Sequence, residues 1–99
     1  MRGNFDSIIN TDKPVLVDFY ADWCQPCQVQ APIIQNVARE LKDKVKVIKI
    51  DVDKNPGIAK RYEIQGVPTL ALFRKGQMLW RQSGVQNKSQ LISIINSHS

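Results

Sequence analysis

Cys24 and Cys27 are the only cysteines in the chain, and they stand three positions apart in the run Trp23-Cys24-Gln25-Pro26-Cys27. Thiols at this spacing can close a small ring or attack a disulfide in another molecule. The attacking species is the thiolate, so the surroundings must favour loss of the proton. The run follows an apolar stretch and precedes a helical pattern, which puts Cys24 at a strand-to-helix junction. A helix N-terminus offers unpaired amide donors and partial positive charge, and both stabilise a thiolate. The pattern points to electron exchange through sulfur.

Three other uses of two cysteines compete with that reading. Zinc asks for four ligands, and the chain has two cysteines and a single histidine, His98, at its far end. A zinc site would have to be shared between chains. Covalent haem attachment needs a histidine directly after the second cysteine, where this chain has Gln28. A purely structural disulfide contributes roughly 2 kcal/mol for so short a ring, a modest gain for a domain able to build a core. Redox chemistry is the reading the residues favour.

The elements around the motif read as follows. Val15-Leu16-Val17-Asp18-Phe19-Tyr20 is β-rich and apolar on both faces except at Asp18, the pattern of a central parallel strand. From Cys27 to about Leu41, Val29, Ile33, Ile34, Val37, Ala38 and Leu41 recur at helical spacing, with Pro32 expected to kink the helix. Val45 to Val52 reads as a second strand, and Asn55-Pro56 as a cap and first helical residue of a short helix through Tyr62. Thr69 to Phe73 and Met78 to Gln82 read as a hairpin joined by Arg74-Lys75-Gly76-Gln77, and Gly84 ends its second strand at a bulge or bend. Asn87 and Gln90 form a capping-box pattern ahead of Leu91, Ile92, Ile94 and Ile95. The expectation is an α/β domain spanning 1–99: three layers, α/β/α, around a mixed sheet of four to five strands.

Composition sets the outer limits. Ninety-nine residues, 42% of them hydrophobic and 23% charged, make a single globular domain. No apolar stretch is long enough to span a membrane. Met1-Arg2-Gly3-Asn4 leads into no apolar signal region, so a cytoplasmic location is expected. The net charge of +5 is scattered, with acidic residues between the lysines and arginines and no basic run interleaved with aromatics. It reads as solvated outer faces, with no nucleic-acid partner.

Taken together, Val17-Asp18-Phe19, Ala21, Trp23-Cys24-x-Pro26-Cys27, Ala31-Pro32, Asp51-x-Asp53-x-Asn55-Pro56, Gly66-Val67-Pro68-Thr69, Phe73, Gly76 and Gly84 resemble the thioredoxin family over nearly the whole chain. The sequence departs from the family where glycine usually separates the first cysteine from the proline, here Gln25. It departs again at Gln28, where a basic residue is common. The dipeptide between the cysteines is where this fold tunes its redox potential. The third departure is at the N-terminus. Phe5-Asp6-Ser7-Ile8-Ile9 looks like the family's first helix, which leaves four residues for a preceding edge strand, absent or vestigial here.

Roles follow from position and from the resemblance. Cys24, at the helix start and beyond the strand end, is expected to be accessible and nucleophilic. Cys27, one turn further in, is expected to be less exposed and to resolve the mixed disulfide. Pro26 restricts the backbone between them. Asp18, in an apolar strand, should have a raised pKa because burial disfavours its charge. The resemblance implies that it assists deprotonation of Cys27 through water, with Lys49 as counter-charge. It also implies a cis Val67-Pro68 bond packed against the cysteines, leaving the Val67 backbone free to pair with a substrate strand. Trp23, Gln25, Val67, Pro68, Gly84 and Val85 would line the substrate-binding surface, with Trp23 partly exposed. Tyr20 and Asp22 are secondary candidates, and Trp80 is read as packing.

The expected activity is reduction of protein disulfides by dithiol-disulfide exchange through Cys24 and Cys27. The alternatives are a disulfide oxidase or isomerase in an exported compartment, and a non-catalytic binding module on the same fold. No bound cofactor is needed beyond the redox-active disulfide. Implied partners are disulfide-containing proteins and a flavoprotein reductase using NADPH, with the chain itself a monomer.

Overall fold

The central strand is built from the apolar run that precedes the cysteines. A computed structural model describes residues 2–98. In it Val15–Tyr20 forms β1, and Val15 to Phe19 are all fully buried because both faces of the strand are covered. β1 pairs in parallel with β2 (Lys46–Asp51) and antiparallel with β3 (Thr69–Arg74), which pairs antiparallel with β4 (Gln77–Ser83). Among the described residues the sheet has four strands, in the order β2-β1-β3-β4.

Alternation along the strands sends successive side chains to opposite faces. Val15, Val17, Phe19, Ala71 and Phe73 pack with Phe5 and Ile9 of α1 (Arg2–Ile9); Ile58 of α3 (Pro56–Arg61) joins them. Phe5, Tyr62 and Phe73 meet edge-on, with ring centroids 5.4–5.8 Å apart, and fix the two short helices to this face. On the other face, Leu16, Leu70 and Leu72 pack against Ile34 and Val37 of α2 (Gln25–Glu40) and Leu91 and Ile95 of α4 (Lys88–Ser97). The expected three layers are present.

Some boundaries differ from the sequence reading. The first helix takes in Arg2 to Asn4, so no edge strand precedes it among the described residues; Met1 lies outside them. β2 therefore stands at the sheet edge. Asn55 caps α3 by position only: its side chain donates to the Asp51 carbonyl oxygen at 3.0 Å instead of accepting a helical amide. Asn87 does cap α4, accepting the Gln90 amide at 2.8 Å. The β3–β4 hairpin turns through Lys75 and Gly76, both with positive φ, as a two-residue loop requires. Its bulge lies between Leu72 and Phe73, while Gly84, at φ +88°, supplies the bend after β4.

The helical stripe of α2 needs the clearest correction. Its buried side is Cys27, Gln30, Ile34 and Val37, and Val29 is 54% exposed. Residues 27, 30, 34 and 37 follow the spacing of a single face, and Val29 falls about 100° away from Gln30. The hydrophobicity of Val29 suggested a core position that the helix does not give it.

Candidate active site

β1 ends at Tyr20, and a short turn through Ala21, Asp22 and Trp23 leads into α2. Cys24 is the N-cap of that helix, in extended conformation at φ −89°, ψ 111°. Its Sγ accepts a hydrogen bond from the Cys27 amide at 3.1 Å. This is one of the helix donors that have no partner within the helix, so it favours negative charge on the Cys24 sulfur. Pro26, in the first turn, has no amide to leave unpaired. Cys24 and Cys27 are joined as a disulfide across a Cα–Cα distance of 5.3 Å.

The expected difference in exposure is not found. Cys24 is 3% exposed and Cys27 5%; they cluster with Ala21, and Tyr20, Val52 and Val67 pack against them. A strand end does not by itself expose the residue beyond it, because here Val52 and Val67, from the neighbouring loops, pack against the cysteines. What distinguishes the two sulfurs is their bonding. Cys24 Sγ has the amide donor of Cys27 and lies 3.6 Å from the Val67 carbonyl oxygen, to which the reduced thiol can donate.

The Val67–Pro68 peptide bond is cis, as the resemblance implied. Pro68 is buried, and Val67 is half-buried beside the disulfide. The Pro68 carbonyl accepts the Gly84 amide at 2.8 Å, which brings the Gly84–Val85 loop alongside the Pro68 turn. Gln25, Pro26, Gly84 and Val85 are exposed, and Trp23 is 72% exposed. The Trp23 indole is nevertheless tethered: Nε1–H donates to Asp53 Oδ2 at 2.8 Å. Asp53 is held in turn by Asp51, whose Oδ1 accepts the amides of Asp53 and Lys54 at 2.9 and 3.2 Å. Sequence reasoning used these acids only as family markers. Their i, i+2 spacing at a strand end is the signature of the turn they make.

Asp18 lies on the α2 face of β1, in register with Lys49 of β2 and Leu70 of β3. It is fully buried, and neither carboxylate oxygen has a hydrogen-bond partner among the described residues. Burial pushes its pKa up from 3.8 to about 6, opposed by the positive charge of Lys49. Lys49 acts at a distance and forms no ion pair with Asp18; its ammonium lies over the Tyr20 ring, 4.4 Å from the centroid. Tyr20, Lys49, Cys27, Asp22, Gln28 and Ala31 line a cavity of about 200 Å³. Cys27 and the counter-charge thus line one recess. No cluster of three or more histidine, cysteine or acidic side chains suited to a metal occurs among the described residues. Trp80 packs against the α2–α4 core, as expected.

A disulfide at a helix start beside a cis-proline turn, with a buried acid in the preceding strand, defines a thiol-disulfide oxidoreductase on a three-layer α/β scaffold. The comparisons give the particular family. The thioredoxin family profile matches residues 1–97. A thioredoxin-like protein of Synechocystis is 52% identical over 87 residues, covering 88% of this chain and 83% of that protein. The thioredoxin of Rickettsia felis is 45% identical over 89 residues, covering 90% and 85%. Thioredoxin Y1 of Arabidopsis thaliana, chloroplastic, is 49% identical over 91% of this chain and 52% of its own length. The thioredoxin of Malassezia sympodialis superposes with a TM-score of 0.88 at 33% identity, covering 97% of this chain and 84% of that one. The chain belongs to the thioredoxin family and is a protein-disulfide oxidoreductase working by dithiol-disulfide exchange.

Proposed function

We propose that this chain is a general reductase of protein disulfides in the cytoplasm, with Cys24 as nucleophile and Cys27 as resolving thiol. The observation that carries the assignment is the amide of Cys27 aimed at Cys24 Sγ, which lowers the cost of negative charge on that sulfur. In the reduced protein, the Cys24 thiolate attacks one sulfur of a substrate disulfide. A mixed disulfide forms and the other substrate sulfur leaves as a thiolate. Cys27 then loses its proton and attacks Cys24 Sγ, which frees the remaining substrate thiol and leaves the Cys24–Cys27 disulfide. Two electrons pass to the substrate, and a reductase restores the dithiol.

Asp18, buried and shifted toward neutral pH, is suited to take the proton of Cys27, and Lys49 limits how far its pKa rises. An extended substrate segment pairs with the Val67 backbone beside the Pro68 turn, flanked by Trp23, Gln25, Pro26, Gly84 and Val85. The turbidity assay for insulin reduction with dithiothreitol as electron source tests the activity. Equilibration with glutathione then gives the direction. Rapid insulin reduction with a potential near or below that of cytosolic glutathione supports a reductase. A potential well above it favours the oxidase reading.

A further inference from the structure

Two buried glutamines have no part in the exchange chemistry. Gln30 lies on the sheet-facing stripe of α2, one turn after Cys27, and is fully buried; Gln86, in the loop between β4 and α4, is also buried. A buried amide side chain is tolerated when its donor and acceptor are both satisfied. Gln30 achieves this on a single residue. Its Nε2–H donates to the Gln86 carbonyl at 3.0 Å, and its Oε1 accepts the Gln86 amide at 2.7 Å. The side chain therefore grips the loop backbone much as a neighbouring strand would.

The grip continues toward the sulfurs. Gln86 turns its own Nε2–H back to the carbonyls of Ser83 and Gly84, at 3.3 and 3.0 Å. Gly84 donates to the Pro68 carbonyl at 2.8 Å. Thr69 Oγ1 donates to the Gly66 carbonyl at 2.6 Å and lies 3.0 Å from Ser83 Oγ, which ties the two loops a second time. Val67, between them, presents its carbonyl 3.6 Å from Cys24 Sγ. Hydrogen bonds thus run from the helix carrying Cys27, beneath the exposed Gly84–Val85 segment, to the turn that faces Cys24. Apolar packing gives this segment little hold: Gly84 has no side chain and Val85 is 41% exposed.

We infer that Gln30 and Gln86 are positioning residues for protein substrates, holding the Gly84–Val85 loop at a fixed height beside the disulfide. A substrate strand then lies between that loop and Val67 with its disulfide over Cys24. The inference rests on the reading above that the chain reduces protein disulfides. An apolar residue in place of Gln30 fills the same core space and strands the Gln86 amide and carbonyl without partners, so the loop shifts to find water.

Single-turnover reactions of the reduced chain with two oxidants test this. Insulin presents a disulfide within a polypeptide that must be seated, and hydroxyethyl disulfide has no backbone to seat. The ratio of the insulin to the small-disulfide second-order rate constant falls about tenfold in Gln30→Leu, about 1.4 kcal/mol in relative barrier height. It falls about threefold in Gln86→Ala. In Gln30→Leu, faster exchange of the Gln86 amide accompanies the loss. A variant that has only lost folded population loses both reactions together, so an unchanged ratio overturns the inference, as does an unchanged insulin rate. Should Gln30→Leu not fold, Gln86→Ala decides by the same ratio. A wild-type chain that reacts with the small disulfide and not with insulin overturns the functional reading itself, and the inference with it.

Discussion

Replacing Asp18 with asparagine keeps the size of the side chain and removes its charge. The consequence for stability has a definite sign. The folded protein raises the Asp18 pKa from 3.8 to about 6. Between those values the folded chain keeps a proton that the unfolded chain has released. Wild-type stability therefore falls as pH rises through this window and levels off above about 6. A shift of about two units corresponds to about 3 kcal/mol. That is a large part of the stability of a domain this small. Asp18→Asn has no such group, so its stability relative to wild type climbs by about 3 kcal/mol between about pH 3.5 and 7.5. Any constant offset from repacking the amide drops out of that difference.

The measurement is a pair of guanidinium denaturation series across that pH range, both proteins in the disulfide form so that no thiol titrates. The surface carboxylates are common to both chains and cancel. A difference that stays flat with pH would refute the reasoning. A variant that becomes relatively weaker toward neutral pH would refute it too, and would make Asp18 the ionised partner of Lys49. The kinetic counterpart is slower resolution of the mixed disulfide, by about a hundredfold, the low end of what a positioned base contributes. Greater stability with slower turnover is the combination expected of a charge kept for its chemistry.

Three further outcomes are expected. Cys27→Ser accumulates a covalent adduct between Cys24 and a disulfide peptide, seen by mass spectrometry, and Cys24→Ser neither traps nor turns over; equal trapping by both would reverse the roles. Gln25→Gly leaves the fold intact and moves the equilibrium constant with glutathione more than twofold, about 10 mV for a two-electron couple; agreement within error would make Gln25 neutral. In β2 the amides of Lys46 and, just beyond the strand, Val52 bond to the Pro14 and Tyr20 carbonyls, so those of Val47 and Lys49 point to the open edge. Hydrogen exchange at Val47 and Lys49 should be about tenfold or more faster than at Ile48 and Ile50, and uniform protection in a monomer would contradict an open edge.

The fold was legible because its signals were local and redundant. The β-rich Val15–Tyr20 run, apolar except at Asp18, the Asn87 cap and the Gly76 turn each carry their own physical cause, and each forms where expected. The site was legible in its residue types, since two cysteines, a buried acid and a proline at a strand start have few joint uses. What escaped the sequence depends on tertiary partners. Asn55 has the chemistry of a cap and spends its side chain on Asp51 instead. Lys49 has the charge to pair with Asp18 and lies over Tyr20. Gln30 was hidden by the habit of tracing a helix by its apolar residues: one polar position in the stripe of Cys27, Ile34 and Val37 reads as noise until its partner is seen.

The near-equal burial of the two sulfurs changes where reactivity must come from. If exposure selected the nucleophile, values of 3% and 5% would leave the choice open. The backbone distinguishes the two. Cys24 stands outside the helix with an amide directed at its sulfur, whereas Cys27 stands inside the first turn and borders the recess that holds Lys49. With Cys24 as the proposed nucleophile, the Cys27 amide would stabilise charge on its sulfur before a substrate arrives, and proton removal from Cys27 would fall to other groups. On the proposed reading, a disulfide would reach Cys24 as its flanking chain settles against Val67 and the Gly84–Val85 loop, so the surfaces that seat the backbone would also admit the sulfur.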